Sequence, residues 1–202
     1  MQKPLTPLAR TSRGFTLMEM MLVIAIAALI LGFGVPNLRS FILNARMTAS
    51  ANDILMAVHT ARSEAIKRQR RTVVCLTKTP EADDPDCDGD GSEGWAVFVD
   101  EDDDGVADSG EPIVLRHSAL HPSLSIEVLP ADHNSYIAFE PNGFAIPISG
   151  QTPFNLALLC DNRGNRAIAG DDYSAARALV VSATGRPQVT RSVTEIEDLG
   201  GC

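Results

Sequence analysis

Apolar residues follow three successive rhythms along this chain, and each rhythm predicts a different element. Residues 15–35 are almost continuously apolar, with Glu19 as their one charge. As a helix rising about 1.5 Å per residue they span roughly 30 Å, the thickness of a bilayer's hydrocarbon core. Beyond Pro36, Leu38, Phe41, Ile42, Ala45, Ala49, Ile54, Leu55, Val58, Ala61, Ala65 and Ile66 largely recur every three or four positions among polar residues, as an amphipathic helix requires. One long, bent helix over residues 15–71 is predicted, with Gly32 and Gly34 loosening it before a kink at Pro36. From residue 72 the rhythm shortens. Apolar or alternating runs at 72–77, 94–99, 113–116, 124–129, 136–140, 155–160 and 177–183 end in Gly, Pro, Asn or Asp and read as antiparallel strands. The expected fold class is α+β: a long N-terminal helix, residues 15–71, packed on a β-rich head, residues 72–202.

The flank of the apolar run sets its orientation. Residues 1–14 carry Lys3, Arg10 and Arg13 and no acid, so they are expected to stay cytoplasmic while everything after Val35 is exported. A secretory signal would be followed by a small-residue cleavage site, and none follows here; the small residue, Gly14, precedes the run instead. Glu19 is the second anomaly. A carboxylate near the start of a membrane helix costs on the order of 2.5 to 3.5 kcal/mol unless it is paired or lies near the interface. Cleavage after Gly14 would create a suitable cation, the α-amine of Phe15, within the chain or on a neighbouring copy.

The stretch Arg13-Gly14-Phe15-Thr16-Leu17-Met18-Glu19 resembles the prepilin cleavage motif of type IV pilins and type II secretion pseudopilins. The resemblance implies removal of residues 1–14 by a prepilin peptidase, N-methylation of Phe15, and Glu19 as the acid that neutralises the terminal amine of an adjoining subunit during assembly. Pro36 matches the helix-kinking proline of that family. The pieces Ala61-Arg62-Ser63-Glu64-Ala65-Ile66, Gly94-Trp95-Ala96-Val97-Phe98-Val99-Asp100 and Thr184-Gly185-Arg186 look like the corresponding parts of the GspH/FimT subgroup of minor pilins and pseudopilins. The type IV pilin fold is the implied architecture. A single-pass inner-membrane protein with its head outside the cytoplasm, later part of a pilus or pseudopilus, is the implied location. Its implied partners are other minor and major pilins or pseudopilins, the peptidase and membrane lipid.

Charge sharpens this picture. The chain has 202 residues with a formal net charge of −9. Residues 37–71 carry seven basic residues and two acids, whereas residues 72–202 carry seven basic and 23 acidic, a net of −16. A head of that charge repels polyanions at long range. Some FimT-like minor pilins bind DNA during natural transformation through a Gly-Arg-x-Arg motif. The matching stretch here reads Gly185-Arg186-Pro187-Gln188, without the second arginine, and Arg191 follows three residues later. DNA binding is therefore disfavoured, although Arg163, Arg166, Arg177, Arg186 and Arg191 could gather on one face.

Four cysteines in an exported head are compatible with two disulfides. Of three possible pairings, Cys75 with Cys87 and Cys160 with Cys202 is preferred, because the first closes a local loop and the second ties down the chain end. The run Asp100-Glu101-Asp102-Asp103-Asp104-Gly105-Val106-Ala107-Asp108-Ser109-Gly110-Glu111 places oxygen ligands at Asp100, Asp102, Asp104, Asp108 and Glu111 with glycine at the sixth position. That is the spacing of a calcium-binding loop. The competing reading is a solvated acidic turn in a β-hairpin, since strands flank the run. His59, His117, His121 and His133 are scattered, and no G-x-S-x-G, H-E-x-x-H, P-loop or GxGxxG after a strand is present, so no enzyme is implied. A structural subunit that primes pilus assembly or caps the tip is the leading expectation. A DNA-binding minor pilin and a type II secretion pseudopilin are the alternatives.

Overall fold

The computed structural model describes residues 14–129, 135–148, 153–168 and 172–202. The expected leader, apart from Gly14, and His133 lie outside the described residues. The chain divides into two compact units, Met1–Ile42 and Leu43–Cys202.

Helix α1 spans Leu17–Arg68 and runs through Pro36. In the first unit its apolar side chains are solvent-facing, from Phe15, Leu17 and Met18 through Leu31, Phe33 and Ile42. By length and composition it can cross a membrane, with a window of mean hydropathy 2.4. The helix stops three residues before the predicted Arg71, because Gln69 turns left-handed (φ 55°) and Arg71 already opens a strand. Lys67 and Arg68 pair with Glu64 at 3.1 and 2.7 Å on the exposed last turns, pairs worth a few tenths of a kcal/mol each.

Within the second unit, α1 buries Met47, Ser50, Ala51, Ile54, Ala57, Val58, Ala61 and Ala65. Ala45 and Ala49, expected on that face, are exposed. Alanines on both faces give little signal of phase, so Met47 and Ile54 set the buried stripe. Full burial of side chains such as these stabilises by about 1.5 to 3 kcal/mol each.

The strands are β1 (Arg71–Leu76), β2 (Trp95–Asp100), β3 (Ile113–His117), β4 (Leu124–Leu129), β5 (Tyr136–Phe139), β6 (Ala145–Ile146), β7 (Leu156–Asp161), β8 (Tyr173–Val181) and β9 (Pro187–Ser192), followed by helix α2 (Val193–Asp198). They form two antiparallel sheets, β3-β2-β1-β5-β6 and β4-β7-β8-β9. The inner faces of both sheets and the buried stripe of α1 share one core that includes Val74, Trp95, Ile126, Phe139, Leu159 and Leu179. The other face of the first sheet buries Val73, Phe98, Tyr136 and Ile148. On the second sheet, Ile196 of α2 packs with Leu156, Leu158 and Ala178. Cover on both faces explains why β1 and β2 read as apolar runs, whereas edge strand β4 alternates buried and exposed residues.

Strands β6 and β9 and helix α2 go beyond the elements that the sequence rhythm predicts. Strand β9 begins with Pro187, which an edge strand tolerates as its first residue, and carries the charged Arg191. Helix α2 is six residues long, too short for a helical period to emerge. Disulfides join Cys75 to Cys87 and Cys160 to Cys202, with Cα atoms 5.0 and 5.8 Å apart. The second anchors the chain end beyond α2 to the end of β7. In the chain-entropy picture each closure is worth about 2 to 4 kcal/mol.

Candidate functional site

Four groups of residues carry chemistry, and the first lies at the start of α1. The carbonyl of Thr16 accepts the first intrahelical bond, from Met20 N–H at 3.2 Å, which makes Thr16 the N-cap. Its hydroxyl oxygen accepts the Glu19 backbone N–H at 3.2 Å. In return, Oε2 of Glu19 accepts the Thr16 backbone N–H at 2.9 Å and the Thr16 hydroxyl at 3.1 Å. This reciprocal pattern is a capping box, and it places Phe15 and Glu19 together at the beginning of the exposed apolar segment.

The acidic run forms the connection between β2 and β3. Asp100, the last residue of β2, is fully buried: Oδ1 accepts Asp104 N–H at 3.2 Å and Oδ2 accepts Gly105 N–H at 3.0 Å. Asp102 accepts from Asp104 N–H at 3.3 Å, and Asp104 from Val106 N–H at 2.7 Å. Glu111 reaches back to accept from Glu101 N–H at 2.6 Å and Asp108 N–H at 3.1 Å, closing the loop. Carboxylate oxygens of Asp100, Asp102 and Asp104 lie within 4.8 Å of one another, whereas Asp108 and Glu111 are outside that trio. Gly105 has φ 83°, and a Cβ there would lie 2.2 Å from Ile148 Cγ2, so the turn is restricted to glycine.

Two cations already face this loop, and Arg70 donates to the Glu101 carbonyl at 3.4 Å. Arg71, the register partner of Asp100 across the β1–β2 ladder, lies 3.4 Å from its Oδ2 and donates to the Asp103 carbonyl at 2.6 Å. Burial pushes the Asp100 carboxyl up to about 6, against the opposing pull of Arg71, and the nearby charge of Glu111 adds to the rise. Sequence spacing locates the carboxylates and misses Arg71, because strand register brings that residue in.

The five arginines do not make one surface. Arg163 is engaged by Asp161 at 2.6 Å and donates to Asn44 Oδ1 at 2.7 Å. Arg177 is buried and donates to the carbonyls of Ser174 and Ala176, both at 2.7 Å, across the register shift of β8. Burial, then the charges of Arg191 and Arg163, lower its pKa. Arg191 lies over the ring of Tyr173, 3.7 Å from its centroid. Arg166 is exposed near the start of β8, its carbonyl accepting from Ala175 N–H at 2.9 Å. Arg186 sits at the far end of β9 from Arg191, in the β8–β9 turn. There it lines a groove of about 380 Å³ together with Val180, Gln188, Glu195, Asp198 and Leu199.

Among the described histidines, His59 is exposed on α1, His121 bonds Ser123 at 2.8 Å, and His117 stacks on Trp95 with centroids 4.0 Å apart. Among the described residues they join no metal-ligating cluster.

Comparison with known proteins gives two matches in sequence. Residues 50–185 match the family described as Type II transport protein GspH, and residues 9–35 match the prokaryotic N-terminal methylation motif. No curated protein matches the chain. Among solved structures, the type IV minor pilin FimU of Pseudomonas aeruginosa is similar at 18% identity and a TM-score of 0.48, covering 71% of this chain and 87% of that one. The minor pseudopilin EpsH of the Vibrio cholerae type 2 secretion system is similar at 11% identity and a TM-score of 0.45, covering 72% of this chain and 97% of its own.

Proposed function

The chain belongs to the GspH family of minor pilins and pseudopilins, and on that premise we propose that it is a minor type IV pilin that primes assembly or caps the filament tip. In this reading a prepilin peptidase cuts after Gly14, Phe15 is N-methylated, and the helix holds the subunit in the inner membrane until a filament takes it up. The observation that carries the proposal is the exposed apolar start of α1 with a single acid, Glu19, near its tip. Such a surface is stable in lipid or against other apolar helices, and unstable in water. Transfer from one apolar environment to the other changes little free energy, so a charge pair can decide it. Glu19→Gln is expected to leave the subunit in the membrane and to deplete it severely, to a still quantifiable share, in sheared filaments, measured by quantitative immunoblotting of both fractions. Equal incorporation of the variant would contradict the proposal. A filament recovered from pili rather than from a secretion pseudopilus identifies the system.

A nucleic-acid role is the weaker reading. The head's net charge is −16, Arg177 is turned into the protein, and Arg186 shares its groove with Glu195 and Asp198.

For the β2–β3 loop we propose an ancillary calcium site. Its support is the spacing of the acids, the convergence of Asp100, Asp102 and Asp104, and the turn at Gly105. Asp100 must ionise to act as a ligand. Because its folded pKa is raised to about 6, a proton competes with calcium below that value, and calcium-dependent stabilisation falls as pH drops through it. At pH 7.5 millimolar calcium is expected to raise the melting temperature by several degrees over chelator, and by less at pH 5. No shift at pH 7.5 would end this proposal.

A further inference from the structure

Resting on the assembly role proposed above, we propose that Thr16 is the positioning residue for Glu19, dividing the carboxylate between the helix it starts and the amine it must meet. A helix that begins in or near hydrocarbon needs partners for its first N–H groups. Thr16 and Glu19 supply them to each other. Every hydrogen bond that Thr16 makes to the carboxylate falls on Oε2, from the backbone N–H at 2.9 Å and the hydroxyl at 3.1 Å. No described residue hydrogen-bonds Oε1, and Glu19 is exposed.

The carboxylate can therefore accept an ammonium group on Oε1, supplied by the processed N-terminus of a neighbouring subunit, without giving up the bonds that cap its own helix. Two effects follow from this division. The carboxylate is hydrogen-bonded while the subunit waits in the membrane, which reduces the cost of keeping it there. Its rotamer is also fixed before the neighbour arrives, so less side-chain entropy is lost on docking.

The test uses the full-length chain in its native host, with Thr16→Val, Thr16→Ser, Glu19→Gln and the Thr16→Val/Glu19→Gln pair. For each, mass spectrometry counts processed chain, and the share of that processed chain in sheared filaments is measured. Thr16→Val is expected to lower the share about tenfold, with Thr16→Ser close to the parent. The double variant is expected to incorporate no worse than Glu19→Gln alone. A hydroxyl that served only as a structural cap would still bond the backbone N–H at position 19 in the Glu19→Gln chain, and its loss would then lower the double variant further. That further loss, or a Thr16→Val share equal to the parent's, overturns the positioning role while leaving the assembly reading in place. A Glu19→Gln share equal to the parent's overturns both.

Discussion

A chain carrying Gly14→Leu is expected to accumulate in the inner membrane at its full precursor mass and to be absent from filaments. Gly14 precedes Phe15 directly, and a Cβ at Gly14 would meet no atom within 4 Å in the described structure. The substitution therefore leaves the fold of the head undisturbed, and its effect reports on the peptidase. On the proposed reading, an uncleaved chain would have no amine on Phe15, and residues 1–14 would keep Lys3, Arg10 and Arg13 on the cytoplasmic side of the membrane. Withdrawing the helix from the bilayer would then drag three charges through hydrocarbon, at on the order of 2.5 kcal/mol or more apiece. Immunoblotting of membrane and sheared fractions checks this, and precursor-length subunits in filaments would contradict it.

The second large effect lies in the head. Gly185→Ala is expected to destabilise the unit Leu43–Cys202 by roughly 2 to 4 kcal/mol, the range for strained backbone combined with a steric clash. Gly185 has φ 72°, and its Cβ would lie 2.2 Å from the Gly143 carbonyl oxygen and 3.0 Å from Phe139 Cε1. The neighbouring atom is backbone and is itself held, since Arg62 of α1 donates to Gly143 O at 3.0 Å and to Thr184 O at 3.4 Å. Three segments distant in sequence thus meet at Gly185, and the nearest atom to the added Cβ has no side-chain freedom with which to move aside. Gly110→Ala serves as the control: its φ is 111° but no atom lies within 4 Å of the added Cβ, so only backbone strain is incurred. Denaturant unfolding of the head fragment should rank Gly185→Ala well below Gly110→Ala. Equal losses would show that the close approach to Gly143 contributes nothing.

These two glycines also show where local sequence is informative. The motif around Gly14 can be read directly, because Gly14, Phe15, Glu19 and the apolar run are fixed by covalent spacing in one continuous stretch, which matches the N-terminal methylation motif. Gly185 cannot, because the atom that forbids a side chain there belongs to Gly143, in a turn far away along the chain. The same division holds for the sheets. The segment Trp95–Asp100 announces itself as a strand by its β-branched and aromatic residues. The pairing of β1 with β5, however, skips the intervening β2, β3 and β4 and follows only from how two sheets share one helix. In the acidic loop, spacing identifies Asp100, Asp102 and Asp104, while Arg71 enters through register across the β1–β2 ladder. The disulfides are accessible to sequence reasoning because one loop is short and the other ends at the terminus.

The account depends above all on what happens between Gly14 and Phe15. Intact-mass and N-terminal peptide analysis of the protein purified from its own host measures it directly. The expected result is a chain beginning at Phe15 and heavier by one methyl group on that residue's amine. A chain that begins at Met1, or one cut at any other bond, would contradict the account.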